Sequence, residues 1–342
     1  MNCDERLPGV ITATITPDGI KEFSISGYAD MENNRLMADD TLLWMASTGK
    51  VFTSLAFMML VEEKRVTLDT QVADILPHFR NLYRTTDPNN PAADIVPIKT
   101  PLTFRHLLSH TSGLIWLPGF FQNRELTYIS LETQSHLYAA SVFQSEPGTK
   151  YQYSNAGINI VGRAIEVISG EKYEDFMANR LFKPLNMVDT GYHPTDEQLM
   201  RIARGYEYSL ETSSWISHKC TTQMSILPYN SANRNAECGG GLFSTAKDMA
   251  NFAQMLANGG SLNGRYYISE KTLREMCRKQ TAPTIETPYG LGSSVGFLGH
   301  GGAWSTSLKV DLDKKEATLY LVQKIGKWPN DYIKEEPKVV GN

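Results

Sequence analysis

The sequence predicts an α+β fold: an antiparallel sheet flanked by helices, built from both termini, with a mostly helical domain inserted between them. Three observations carry that expectation. Residues 9–16 are rich in β-branched side chains and, across the turn signal Pro17-Asp18-Gly19, meet a second alternating run over 21–28, the pattern of a hairpin. A β pattern returns after Pro283 and Pro288, over 289–298, 305–311 and 316–323. Helical runs and loops fill the middle. The expected units are 1–66 with 283–342 for the sheet domain and 67–282 for the insert. A cleft between them is the natural place for a site.

Taken in order, the hairpin leads through Asp39-Asp40-Thr41 to Ala46-Ser47-Thr48-Gly49-Lys50 and an apolar helix that ends in the charged turn 62–65. Five prolines (Pro77, Pro88, Pro91, Pro97, Pro101) make 68–101 a punctuated loop region. Thr103 is placed to cap a short helix over 104–109. The turn Ser145-Glu146-Pro147-Gly148-Thr149 delivers Tyr153-Ser154-Asn155 to a helix over 158–168, which Gly170 stops; another helix spans 173–182, before Pro184. Residues 191–235 are polar and read as surface loops or a lid. Thr245 and Asp248 form a capping box for a helix that ends at Gly259-Gly260, and Ser269 caps one more, to about residue 279. Asp313-Lys314-Lys315 makes the last turn.

The bulk properties exclude several classes. A chain of 342 residues, 41% hydrophobic, can bury a large core. A net charge of -4, a pI near 6.0 and no dense basic run argue against a nucleic-acid partner. Mean hydropathy is -0.31, and no apolar stretch approaches the roughly 18 residues of a membrane span. Cys3, Cys220, Cys238 and Cys277 lack metal-ligand spacing and read as ordinary thiols. Residues 1–8 are charged, with no apolar signal region, so two locations stay open: the cytoplasm, or the periplasm or cell envelope if an export signal has been removed. Oligomeric state is not legible.

The chemistry gathers at three places. Ser47 and Lys50 lie one helical turn apart, which sets an ammonium beside a hydroxyl at a helix N-terminus, where N–H groups favour developing negative charge. A serine needs that kind of help to become a nucleophile. Tyr153 is a candidate base; its phenol is a poor one at its free pKa of about 10, but a neighbouring lysine cation favours the phenolate. Asn155 can offer its amide to a substrate carbonyl or to Lys50. His300-Gly301-Gly302-Ala303 sits between the last β segments; its glycines admit close backbone approach, and an N–H there can complete an oxyanion hole with that of Ser47. His110, between Ser109 and Ser112, lacks an acidic partner and reads as a structural turn.

Ser47-Thr48-Gly49-Lys50, Tyr153-Ser154-Asn155 and His300-Gly301-Gly302 resemble, in order, the three motifs of the serine β-lactamase/penicillin-binding-protein superfamily. The Tyr-x-Asn form is similar to its class C β-lactamase-like branch, which includes D-Ala-D-Ala carboxypeptidases and family VIII carboxylesterases. The segments 107–114, 146–149 and 240–245 also resemble that branch, and the likeness runs from about Pro8 to Gln323. It implies a β-lactamase/transpeptidase-like fold and a serine hydrolase without metal or cofactor, acting through an acyl-enzyme on an ester, amide, peptide or lactam carbonyl of a small-molecule or peptide substrate. It implies Ser47 as nucleophile, Lys50 as the group that lowers its neighbours' pKa or shuttles the proton, and Tyr153 as general base that then protonates the leaving group. Asn155, His300, Gly302 and Ala303 would bind substrate, with the N–H groups of Ser47 and Ala303 holding the oxyanion. The alternative is a penicillin-binding or sensor-type protein that acylates with little turnover. Two departures stand out. His300 occupies a position usually held by lysine in class C β-lactamases, which weakens anchoring of an anionic substrate. Only seven residues precede Pro8, where relatives usually carry a helix.

Overall fold

The β-branched run near the start of the chain forms β1 (Gly9–Thr16), in which alternate residues Ile11, Ala13 and Ile15 are buried. It turns into β2 (Gly19–Asp30), followed by the short β3 (Arg35–Leu36). In this computed structural model, which describes residues 7–115, 126–209, 211–212, 214–218 and 234–325, β1 pairs on its other side with Glu316–Leu321. The six-stranded sheet runs Leu298–Gly301, Ser307–Asp311, Glu316–Leu321, β1, β2, β3, antiparallel throughout. The two ends of the chain therefore share one sheet. Its outward face carries cross-strand polar pairs such as Thr12 with Ser24 and Thr14 with Thr318, as expected of a sheet solvated on one side.

The inward face supports the central helix, α1 (Gly49–Glu62), whose residues are buried continuously from Gly49 to Leu60. A helix that is apolar all round belongs inside a fold. Phe52 stacks at 3.8 Å on Phe252 of the helix Ala246–Ala257, which lies against the sheet. The opposite flank of α1 packs on the helix Asn155–Ser169. That helix stops where Gly170 turns left-handed (φ 80°) and returns its N–H to Glu166 O at 2.8 Å. No helix among the described residues is long and apolar enough to cross a membrane.

Several local expectations need correction. The strand expected over 289–298 is limited to Leu298–Gly301. Gly292 and Gly296 have positive φ there, and the backbone bonds elsewhere: Leu291 N to Met276 O and Gly292 N to Leu108 O. Residues 191–235 are not all loop, because Gly205–Ser209 and Ser214–His218 form a hairpin joined in parallel by Lys324–Ile325. The proline-punctuated region holds two strands, Tyr83–Thr85 and Ile95–Pro97, which form a three-stranded sheet with Val142–Phe143. An additional helix, Leu131–Ala139, starts at Ser130, whose Oγ accepts from Thr133 N at 3.2 Å. The helix expected over 173–182 narrows to Tyr173–Met177 and continues as a wider turn, Ala178–Phe182. Only half of the expected capping box forms: Thr245 Oγ1 accepts from Asp248 N, while the Asp248 carboxylate accepts from Asp189 N and Thr190 Oγ1, both at 2.8 Å. Cys3, Cys220 and much of the expected lid fall outside the described residues.

Candidate active site

Ser47 sits in a tight 3-10 turn, Ala46–Thr48, that feeds α1. The turn begins with Ala46 at φ 48°, a left-handed conformation that costs a side-chain-bearing residue free energy and persists only when its surroundings dictate it. They do so from three sides. Met45 N bonds Leu242 O at 2.9 Å, Thr306 Oγ1 bonds Met45 O at 2.8 Å, and Thr48 Oγ1 meets Thr306 Oγ1 at 3.1 Å. The first bond of this turn runs from Thr48 N to Met45 O, which places the Ser47 N–H ahead of the hydrogen-bonded ladder.

Lys50 follows one turn later, and its Nζ donates to Ser47 Oγ at 2.9 Å and to Gly239 O at 2.5 Å. The side chain is fully buried. Burial pushes its ammonium down to about 7, opposed by the negative charge of Glu237. Tyr153 arrives on the loop before the helix Asn155–Ser169, with Lys50 Nζ 4.8 Å from the centre of its ring. Burial raises its phenol well above the usual value, against the lowering effect of a hydrogen bond with Ser47. Burial thus works against the phenolate that a neighbouring lysine cation would favour.

His300 lies at the end of the edge strand Leu298–Gly301. Its Nδ1–H donates to Gly301 O at 2.5 Å, which leaves Nε2 as the acceptor facing Tyr153 Oη at 3.4 Å. Burial first, then the Lys50 charge, push this imidazole down to about 4, so it is neutral at pH 7. Gly302 packs beneath the nucleophile turn, where a Cβ would strike Thr306 Oγ1 and lie 2.5 Å from Met45 O. Ala303 is exposed and lies in the turn after the edge strand, not on a strand. The next residue, Trp304, meets Trp44 edge-to-face at 5.0 Å, so one aromatic pair braces the backbones leading to Ser47 and Ala303.

The structure thus brings Ser47, Lys50, Tyr153 and His300 together, with Gly302 and Ala303 alongside. Asn155 differs from expectation. It is the first residue of the helix, its buried Oδ1 has no hydrogen-bond partner among the described residues, and the Gly239 carbonyl, not Asn155, holds Lys50. His110 keeps its structural role: Ser154 N donates to its Nδ1 at 3.2 Å, and its ring packs 4.4 Å from that of Tyr153. Sequence reasoning missed Glu237, Thr306 and the Trp44–Trp304 brace. The one available signal was an acidic residue opening the run Glu237-Cys238-Gly239-Gly240-Gly241.

A family model described as Beta-lactamase matches residues 2–334. Penicillin-binding protein 4 of Amycolatopsis lactamdurans is 27% identical over 289 residues, covering 84% of this chain and 69% of that protein. Esterase EstB of Burkholderia gladioli is 26% identical over 319 residues, covering 86% and 76%. Among solved structures, EstCE1, described as a hydrolase with promiscuous acyltransferase activity, superposes with a TM-score of 0.77 at 22% identity, over 93% of this chain and 89% of that one.

Proposed function

The chain belongs to the Beta-lactamase family, and from that premise we propose that it hydrolyses a carbonyl substrate through an acyl-enzyme on Ser47, with neutral esters as its preferred class. The observation that carries the reading is the 2.9 Å approach of Lys50 Nζ to Ser47 Oγ, in a setting that makes the amine available as a base near neutral pH. Ser47 Oγ attacks the carbonyl carbon and its proton passes to the neutral Lys50 amine. The negative charge that develops on the carbonyl oxygen is held by the N–H groups of Ser47 and Ala303. As the ester C–O bond breaks, Tyr153 gives its phenolic proton to the leaving alkoxide and takes one from the Lys50 ammonium. Water then attacks the acyl-enzyme along the reverse proton path, releasing the acid and restoring Ser47. Asn155 and His300 line the approach to the carbonyl.

Preference for a neutral substrate rests on His300. A neutral imidazole at the third-motif position offers a substrate carboxylate no charge to pair with. The relative named as an esterase accords with this. The relative named as a penicillin-binding protein favours the second reading, a protein that acylates with little turnover. One panel separates them: a short-chain p-nitrophenyl ester, a chromogenic cephalosporin, and D- and L-aminoacyl amides. Steady turnover of the ester with kcat/KM above all the others is expected. Cephalosporin turnover without esterase activity would contradict the role of His300, and a stoichiometric burst without turnover would support the second reading.

A further inference from the structure

Glu237 is a carboxylic acid buried to 5% exposure, and the acyl-transfer steps above do not use it. Burying a charge is costly unless other groups compensate for it. The chain folds back around this one. Gly239 N donates to Glu237 Oε1 at 3.2 Å, and the three glycines that follow leave room for the carboxylate: a Cβ at Gly239 would come 2.9 Å from Oε1, and one at Gly240 3.0 Å from Oε2. The two peptides that flank Gly239 face opposite partners. The Gly239 N–H turns to Glu237, and its carbonyl accepts from Lys50 Nζ. The turn itself is pinned by Trp44 Nε1 to Gly240 O at 2.5 Å, Thr53 Oγ1 to Cys238 O at 2.8 Å, and Cys238 N to Asn159 Oδ1 at 3.0 Å.

We propose that Glu237 is a positioning residue for Lys50: Gly239, whose N–H bonds the carboxylate and whose carbonyl bonds the amine, ties the two together, and the carboxylate sets the proton affinity of the amine that serves Ser47. The other groups around the pair leave this role to Glu237. His110 and His300 face Lys50, and both are held neutral by burial and by the lysine charge. The phenols of Tyr138, Tyr153 and Tyr192 are raised by burial and, to a smaller extent, by the Glu237 charge. Burial raises the Glu237 carboxyl itself, opposed by the Lys50 charge, the Gly239 N–H and the competing cation Arg234. Removing the negative charge leaves Lys50 with its desolvation alone, which favours the neutral amine.

The proposal rests on the acyl-enzyme reading for its consequence but not for its test. The full chain is prepared with lysine 13C-labelled at Cε, and the Lys50 resonance is assigned by its loss in Lys50→Arg. In Glu237→Gln, its titration midpoint should fall by about 1–3 pH units; in Glu237→Asp, which keeps the charge one methylene further back, it should fall less. An unchanged midpoint in folded Glu237→Gln overturns the proposal, and so does an unchanged midpoint in Glu237→Asp if the glutamine variant does not fold. A second arm follows the pH dependence of fluorophosphonate labelling at Ser47. Its acid limb should move down with the lysine midpoint. A moved midpoint with a stationary limb leaves the link between Glu237 and Lys50 intact and overturns Lys50 as the base.

Discussion

At the scale of single residues, burial and charge compete at each member of the site. Lys50 is brought near neutrality because desolvation outweighs the pull of Glu237. Burial also raises the Tyr153 phenol, which accords with its proposed role as the proton donor to the leaving group. Tyr153→Phe should therefore lower kcat for the ester by about 10²–10⁴-fold, the usual contribution of a positioned acid-base group, and leave KM nearly unchanged. Stopped-flow acylation kinetics check this; an unchanged kcat would remove Tyr153 from the proton path. Ser47 and Lys50 were legible in the sequence as residue types at helical spacing, and Tyr153 through the motif Tyr153-Ser154-Asn155. Glu237 was not, because its tie to Lys50 exists only after two distant segments meet.

At the scale of elements, the site depends on the edge strand Leu298–Gly301 lying close against the nucleophile turn. Thr48 Oγ1 donates to His300 O at 3.3 Å, Gly302 N to Thr306 O at 2.6 Å, and Gly302 has no room for a side chain. Gly302→Ala should push the two backbones apart, at a cost of about 1–3 kcal/mol in stability. It should also cut kcat/KM by about 10²–10³-fold, the loss expected when an oxyanion donor is misplaced. Urea denaturation and ester kinetics on the same preparation test both effects, and wild-type kinetics would show that the close approach has no catalytic role. The hairpin of β1 and β2 and the capped helices were legible because periodicity and turn residues are local signals. The strand expected over 289–298 failed because its glycines take turn conformations and its amides bond to other elements. The small sheet of Tyr83–Thr85, Ile95–Pro97 and Val142–Phe143 escaped notice because its third strand comes from a distant part of the chain.

At the scale of the whole molecule, folding buries imidazoles in several places. His78, His106, His110 and His300 all have their proton affinity lowered, mainly by burial, with His300 down to about 4. In the unfolded chain each would titrate near 6.5. Below that pH the unfolded state binds more protons than the native one, so stability falls as pH drops. The contribution is complete above about 6.5 and is lost progressively toward pH 4. Urea midpoints at pH 7.5, 6 and 5 should decline in order, and His300→Asn should flatten part of that decline. A flat profile across the window would show that these imidazoles are not held neutral.

The central claim is that Ser47 carries the acyl group. Its most direct test is peptide mapping by mass spectrometry after incubation with a fluorophosphonate and, separately, after acid quenching during turnover of a p-nitrophenyl ester. The account predicts both adducts on the peptide containing Ser47, with neither formed by Ser47→Ala. An adduct at another residue, or undiminished labelling of Ser47→Ala, would contradict it.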